Sequence, residues 1–371
     1  MDRAKVAVEN LLAEADIKVN GSRPWDIRVR NDDFYARVVR GGSLAFGETY
    51  LAGYWDADRL DELIARLFSS HVTEKARVSF TNLAAYLSAT VRRRGAKSSA
   101  FEIGRRHYDT GNDLFERMLD RRMVYTCAYW KDAKDLDEAQ EAKLDLVCRK
   151  IGLQKDQHVL DIGCGWGSFA KFAAERYGAR VTGITVSKEQ VALGREMCQG
   201  LPVEFRLQDY RDVTGTFDHI ISLGMFEHVG TAHYAEYMQV AHDHLKDGGL
   251  FLLHTIGTNR SGLTTEPWID KYIFPNGALP SVAEIGKALE GRFVMEDWHN
   301  FGAYYDKTLM AWFANFDRRW PEISAKYGET FYRMWKYYLL ACAGSFRARA
   351  NQLWQIVLSK DGVPGGYRPV R

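Results

Sequence analysis

No run approaching the roughly 18–20 apolar residues of a membrane-crossing helix occurs in the 371 residues. The opening MDRAKVAVENLLAEAD has no apolar centre of a secretory leader. Cysteine is scarce and odd in number. Cys127, Cys148, Cys164, Cys198 and Cys342 show no paired CxxC spacing, which argues against a disulfide framework or a zinc site and leaves free thiols. Neither sign of charge is in excess: 50 Lys and Arg face 48 Asp and Glu, and the net +2 is too small to imply a nucleic-acid partner. No internal repeat or low-complexity segment is present. These absences leave an ordinary soluble composition and the expectation of a cytosolic protein that touches membranes at most from the side.

The length suggests two domains, or one large α/β domain with an appendage. Residues 1–20 place Val6, Val8, Leu11, Leu12, Ala15 and Ile17 at helical spacing. DIRVRN and FYARVVR then predict strands, with turns at Asn31–Asp33 and Gly41-Gly42. Residues 46–70 predict a helix capped by Asp56 or Asp58, with Leu60, Ile64, Leu67 and Phe68 on one face. Together with a second helix over Val78–Val91 this gives a small α+β domain, 1–91. A basic linker follows at 92–100, where Arg92, Arg93, Arg94 and Lys97 form either a solvated connection or a contact for anionic lipid head groups. The remaining 101–371 form the catalytic domain. It opens with two or three helices, one starting at Asn112 or Asp113. Another runs from Leu136 or Asp137 to about Ile151, with Ala139, Leu144, Leu146 and Val147 inward.

The chain is organised around HVLDIGCGWG, His158–Gly167. Val159, Leu160 and Ile162 read as a buried strand, and Asp161 is placed to orient the loop that follows. Gly163, Gly165 and Gly167 clear side chains from the turn, so backbone amides and a helix start face a ligand. Alternate glycines differ from the dinucleotide-binding spacing and resemble motif I of Rossmann-like methyltransferases that use S-adenosylmethionine (SAM). Strand and helix then alternate, with strands at Arg180–Ile184, Val203–Leu207, Phe217–Leu223 and Leu250–His254 and closing strands at Phe293–Trp298 and Trp354–Leu358. The fold class is therefore α/β, a Rossmann-like class I SAM-dependent methyltransferase domain with a mostly parallel seven-stranded sheet.

Ligands of such a sheet sit at the carboxyl ends of its strands. The polar groups there are Gly163–Gly167 with Cys164 and Trp166, then Thr185, Ser187 and Gln190, then Gln208, Asp209 and Tyr210. Thr185 stands where many SAM enzymes carry a carboxylate for the ribose, and Gln190 is the candidate to replace it. Gln208 and Asp209 suit the adenine amino group, with Tyr210 or Trp166 offering a face to the base. Glu227 and His254 end neighbouring strand segments. They form either a proton-handling or anion-binding pair or a structural hydrogen bond. His228 reads as structural.

YTCAYW (Tyr125–Trp130), VLDIGCGWG, LQDYRD, GMFEHVG, LLHTIG, KYIFPNGALPS, MEDWHNFGAYYDKTLMAW and ACAGSFRAR closely resemble bacterial cyclopropane-fatty-acyl-phospholipid synthases from about His107 onward. The N-terminal region resembles them more loosely. The resemblance implies transfer of the SAM methyl to the cis double bond of an unsaturated acyl chain in a membrane phospholipid. It adds Tyr125 and Thr126 to the cofactor-binding set. It also implies a bicarbonate ion as base, bound by Glu227, His254, Tyr305 and the backbone amides of Cys127 and Ile256, with Tyr125, Phe226 and Tyr305 facing the cation. Cys342, in ACAGSFRAR, is a rival catalytic candidate, although an alkene attacking a sulfonium needs no covalent enzyme intermediate. A homodimer in peripheral contact with the inner face of the membrane is further implied.

Overall fold

The computed structural model describes residues 3–70, 111–263 and 265–371, which divide into two compact units. One comprises 3–70, 265–276 and 305–351, the other 111–263, 277–304 and 352–371. Both are discontinuous, whereas the sequence reading divides the chain once. The 92–100 linker, the Val78–Val91 helix and His107 lie outside the described residues.

The first unit is helical. Arg3–Glu14, Asp33–Leu51 and Leu60–Ser69 are helices, and strand pairing among the described residues there is short, Arg28 with Asp56, Val29 with Trp55 and an isolated bridge between Val19 and Ile27. The expected strand in DIRVRN is present but shortened to Arg28–Val29, and the second expected strand is corrected. FYARVVR is helix, because Phe34, Tyr35 and Val38 are buried at i, i+1 and i+4 and one packed face outweighs the strand preference of aromatic and β-branched residues. Gly42 takes φ +57° and kinks this helix instead of turning a hairpin. The expected aspartate caps do not form either: Arg59 precedes the Leu60–Ser69 helix and Asp58 pairs with Arg28.

Two later helices, Ala303–Arg319 and Ser324–Arg347, supply most of the rest of this unit. The second runs against Leu60–Ser69 so closely that a Cβ at Gly344 would stand 2.5 Å from the Asp61 carbonyl oxygen. Its Arg347 guanidinium donates to Asp61, buried at 2% exposure, at 2.7 Å and to Asp306 at 2.9 Å. Arg347→Met is expected to cost about 2 kcal/mol of stability, since it leaves Asp61 with Arg59 as its remaining cation. A lowered urea midpoint would show it; an unchanged midpoint would reject it.

The second unit is the sheet. Its strands are β1 (His158–Ile162), β2 (Arg180–Thr185), β3 (Val203–Leu207), β4 (Phe217–Leu223), β5 (Leu245–Gly257), β6 (Val294–Asn300) and β7 (Gln352–Ser359), in the order β3-β2-β1-β4-β5-β7-β6. All are parallel except β7, which runs against both neighbours. Alternate strand residues feed two cores. Leu160, Ile220, Phe251, Leu253 and Ile356 join Tyr237, Met238 and Ile285; Val159, Val181, Ile221, Leu252 and Val357 join Leu144, Val147 and Phe169. Helices thus cover both faces, as a parallel sheet requires. Their ends follow sequence signals: Asp135 caps Leu136–Lys150, Ser281 and Glu284 form a capping box on Val282–Leu289, and Gly178 ends Ser168–Tyr177 in the left-handed conformation. The expected strands, and the helices beginning at Asn112 and Leu136, agree with those observed to within a few residues, except that β5 starts earlier and reaches Gly257.

Candidate active site

All three glycines after β1 have positive φ, +82° at Gly163, +54° at Gly165 and +85° at Gly167. The amides of Gly163 and Cys164 both donate to the Ile184 carbonyl, at 2.9 and 3.0 Å, which ties the turn to the end of β2. A Cβ at Gly163 would meet Met225 at 2.7 Å, and one at Gly167 would meet Phe205 at 2.3 Å. At Gly165 it would meet nothing within 4 Å. The outer glycines are therefore demanded by packing, while Gly165 keeps a bare backbone turned to open space. Asp161 is 2% exposed; burial pushes its carboxyl up to about 7, opposed by the charge of Lys143.

The other strand ends carry a buried polar set. Thr185 Oγ1 donates to Gln190 Oε1 at 2.6 Å, and Ser187 accepts from the Gln190 amide at the start of the Lys188–Met197 helix. Gln190 thus stands beside the position where a ribose-binding carboxylate is missing. Asp209 accepts from the Arg211 amide at 3.0 Å, and the Gln208 side-chain amide donates to the Asp212 carbonyl. Tyr210 differs from expectation. Its ring packs edge-on to Tyr237, centroids 4.9 Å apart, under the Arg211 guanidinium, so it is core and not a free face for a base. Trp166 is 2% exposed, beside Phe115 at 4.9 Å and hydrogen-bonded to Asn112 at 3.0 Å.

Glu227 lies in the single 3-10 turn Phe226–His228 beyond β4. That loop is fastened to β5 because the Gly224 amide donates to the His254 carbonyl at 2.9 Å. Glu227 Oε1 accepts from the Ile256 amide at 2.6 Å, so this amide, expected to hold an anion, orients Glu227 instead. Glu227 Oε2 is buried without a protein partner among the described residues. Burial pushes its carboxyl up to about 7 against the pull of the Ile256 amide. His254 is 1% exposed. Its Nδ1 lies 3.3 Å from Gln355 Nε2, while its Nε2 is buried and unpartnered among the described residues. Burial first, then the charges of Lys143 and Lys150, hold its pKa well below the usual histidine value. His228 is half-buried with its Nδ1 out of contact with solvent, and burial pushes its pKa down to about 4.

Cys127 is fully buried, and its thiol donates to the Ala128 carbonyl at 3.4 Å. Tyr125 meets Phe115 edge-on at 5.2 Å, and Phe226 stacks on Tyr234 at 4.1 Å, which covers one of its faces. Tyr305 and Cys342 belong to the helical unit. Tyr305 stacks on Phe346 at 4.6 Å, and burial pushes the Cys342 thiol up to about 12, away from the thiolate that a nucleophile needs. Cys127→Ser and Cys342→Ser are each expected to keep most of the initial product-forming rate. A severe loss in either would show that its sulfur matters.

Sequence reading missed a polar cluster below the 124–127 segment. Lys143, 0% exposed, donates to Thr126 Oγ1 at 2.8 Å, and Gln140 donates to the Thr126 carbonyl at 2.8 Å. Asp120 accepts from the Arg122 and Val124 amides at 2.9 and 2.8 Å. Burial pushes Lys143 down to about 8, countered by the charge of Asp120. The signal was present: Gln140 and Lys143 share the helical stripe of Leu136 and Val147.

Comparison with known proteins places this arrangement among relatives. A family model described as mycolic acid cyclopropane synthetase matches residues 96–356. The chain is 51% identical over 361 residues to the cyclopropane-fatty-acyl-phospholipid synthase of Escherichia coli strain K12, covering 97% of this chain and 94% of that one. Among solved structures it is similar to the cyclopropane synthase MmaA2 from Mycobacterium tuberculosis, with TM-score 0.66 and 32% identity over 70% of this chain and 98% of that chain. It is also similar to the mycolic acid cyclopropane synthase CmaA1 complexed with SAH and CTAB, with TM-score 0.65, 32% identity and the same coverage.

Proposed function

The chain belongs to the mycolic acid cyclopropane synthetase family, and from that premise we propose that it cyclopropanates unsaturated acyl chains of membrane phospholipids, with bicarbonate as the base. The enzyme is a SAM-dependent methyltransferase acting as a cyclopropane synthase. When bound, SAM supplies a sulfonium methyl that adds to the alkene and leaves a carbocation, and bicarbonate supplies the acceptor for the proton lost as the ring closes. The observation that carries the reading is the pair of unpartnered buried atoms, Glu227 Oε2 and His254 Nε2, belonging to two groups joined to β5 at its carboxyl end. A buried polar atom left without a protein partner costs stability unless a ligand meets it.

The residues divide the work. The bare backbone at Gly165 admits the cofactor against the turn, and the Thr185–Gln190 pair offers hydrogen bonds at the end of β2. Glu227, aimed by the Ile256 amide, and His254 localise the anion, with the Cys127 amide completing its shell. Aromatic faces stabilise the cation without trapping it as a nucleophile would. We take the enzyme to be a homodimer working at the cytoplasmic face of the membrane, reaching lipid from the side. No helix among the described residues is long and apolar enough to cross a membrane, in keeping with that approach.

Incubation with SAM and liposomes of unsaturated phospholipid, with and without added bicarbonate, followed by fatty-acid mass analysis, tests the reading. The expected acyl product is 14 mass units heavier and, unlike the isomeric methylene or methyl-branched alkenes, has lost its olefinic signals to those of a ring, and its rate rises with bicarbonate. A methyl-branched or methylene product, or a rate indifferent to bicarbonate, would overturn the corresponding half.

A further inference from the structure

Gln355 is a residue to which the reaction as described gives no role. It lies on β7, paired directly with His254 of β5 on one side and with His299 of β6 on the other. Residues facing each other in this way project to the same side of the sheet. Gln355 is 0% exposed. Its Nε2 stands 3.3 Å from His254 Nδ1, and its Oε1 has no partner among the described residues. On the far side, Lys150, itself 0% exposed, places its ammonium 3.1 Å from His299 Nδ1 and 3.8 Å from Asp297, which Arg371 also grips.

Two neutral tautomers of His254 are available. With the proton on Nδ1, Gln355 would have to present its oxygen there, and both amide hydrogens would point to where Oε1 now sits unpartnered. The ring would then offer a lone pair from Nε2. With the proton on Nε2, one Gln355 N–H donates to Nδ1, the second N–H and Oε1 are left over, and the ring offers a donor. One orphaned N–H beside an under-used carbonyl is a lesser defect than two orphaned N–H groups, because buried donors are left unpaired more rarely than carbonyl oxygens. Burial first, and then the charges of Lys143 and Lys150, disfavour the doubly protonated ring.

We propose that Gln355 is a positioning residue that fixes His254 as the tautomer protonated on Nε2, making this ring the hydrogen-bond donor to the anion and not the base. The anion part rests on the bicarbonate reading; the tautomer part does not. A ring whose acceptor nitrogen is occupied by an amide cannot collect the proton leaving the substrate, so that proton goes to the anion.

The experiment uses the full-length enzyme labelled with ¹⁵N-histidine, whose long-range ¹H–¹⁵N correlations report which ring nitrogen carries the proton. His254→Gln supplies the assignment. The wild type is expected to show Nε2 protonated, and Gln355→Glu to move the proton to Nδ1, because a carboxylate accepts where the amide donated. In steady-state assays with SAM and phospholipid vesicles, Gln355→Glu is expected to raise the KM for bicarbonate about tenfold, the size of one lost hydrogen bond to a charged partner, with the KM for SAM unchanged. Gln355→Leu keeps a similar volume and is expected to leave a tautomer mixture. A wild-type ring protonated on Nδ1, or a tautomer unchanged in both variants, overturns the proposal. A wild type whose rate ignores bicarbonate overturns the bicarbonate reading instead, and the tautomer spectrum still decides the role of Gln355.

Discussion

Glu227→Gln is expected to slow ring formation about 100-fold or more while leaving SAM binding intact, the usual consequence of removing one preorganised polar group from a reacting site. His254→Gln and Tyr305→Phe are expected to behave similarly. The glutamine at 227 keeps an oxygen for the Ile256 amide, now 2.6 Å from Oε1, so the loop should hold its place. Stability gives an independent signature. Burial raises the folded-state pKa of Glu227 from 4.5 to about 7, so the native state holds this proton more tightly than the unfolded chain does. The resulting stabilisation is full below about pH 4.5 and is lost as pH rises through about 7. Above that the wild type buries a carboxylate and the variant does not. Glu227→Gln should therefore gain thermal stability relative to wild type between pH 5 and pH 8 as it loses activity. Calorimetry at both pH values with single-turnover product analysis checks this; full turnover, or a stability difference that shrinks with rising pH, would remove Glu227 from the role given to it.

The second large effect separates two glycines of the same turn. Gly167→Ala is expected to destabilise the fold by about 3 kcal/mol, since it combines φ +85° with a Cβ 2.3 Å from the Phe205 ring. Gly165→Ala carries only the backbone cost, about 1 kcal/mol, because its Cβ meets no atom of the protein. Larger residues there act on the ligand instead. Gly165→Val should remain folded and lose SAM binding by isothermal titration, whereas Gly167→Ala should lower the unfolding midpoint first. If Gly165→Val binds SAM as well as wild type, the cofactor does not lie against this turn.

The sheet was legible because parallel strands announce themselves. HVLDI and the run at Phe217–Leu223 are short segments with adjacent apolar residues, Val159-Leu160 and Ile220-Ile221, and each is followed by glycine at a turn requiring positive φ, Gly163 or Gly224. The first helical unit was not, because the β-branched and aromatic content of FYARVVR points to a strand while its burial at i, i+1 and i+4 depends on tertiary packing, such as Phe34 against Phe46 and Trp55, that local preference does not show. Glu227 and His254 stood out as polar residues at strand ends. Gln355 did not, since its function depends on register between β5 and β7, strands separated by about a hundred residues that local periodicity cannot align. The Ile256 amide was expected at the anion on family resemblance alone, and no local pattern shows that it meets Glu227, since which acceptor a backbone N–H meets is fixed by the fold of the Phe226–His228 turn.

The division of the helical unit into separate segments has a consequence for biosynthesis. Its opening helices leave the ribosome long before the Ser324–Arg347 helix that covers them, an interval on the order of tens of seconds at ordinary elongation rates. During that wait Leu60, Leu63 and Ile64, destined to be buried, remain without their covering helix. Nascent chains stalled before residue 324 should accordingly be favoured clients of holdase chaperones, and release from them should coincide with emergence of Gly344 and the helix around it.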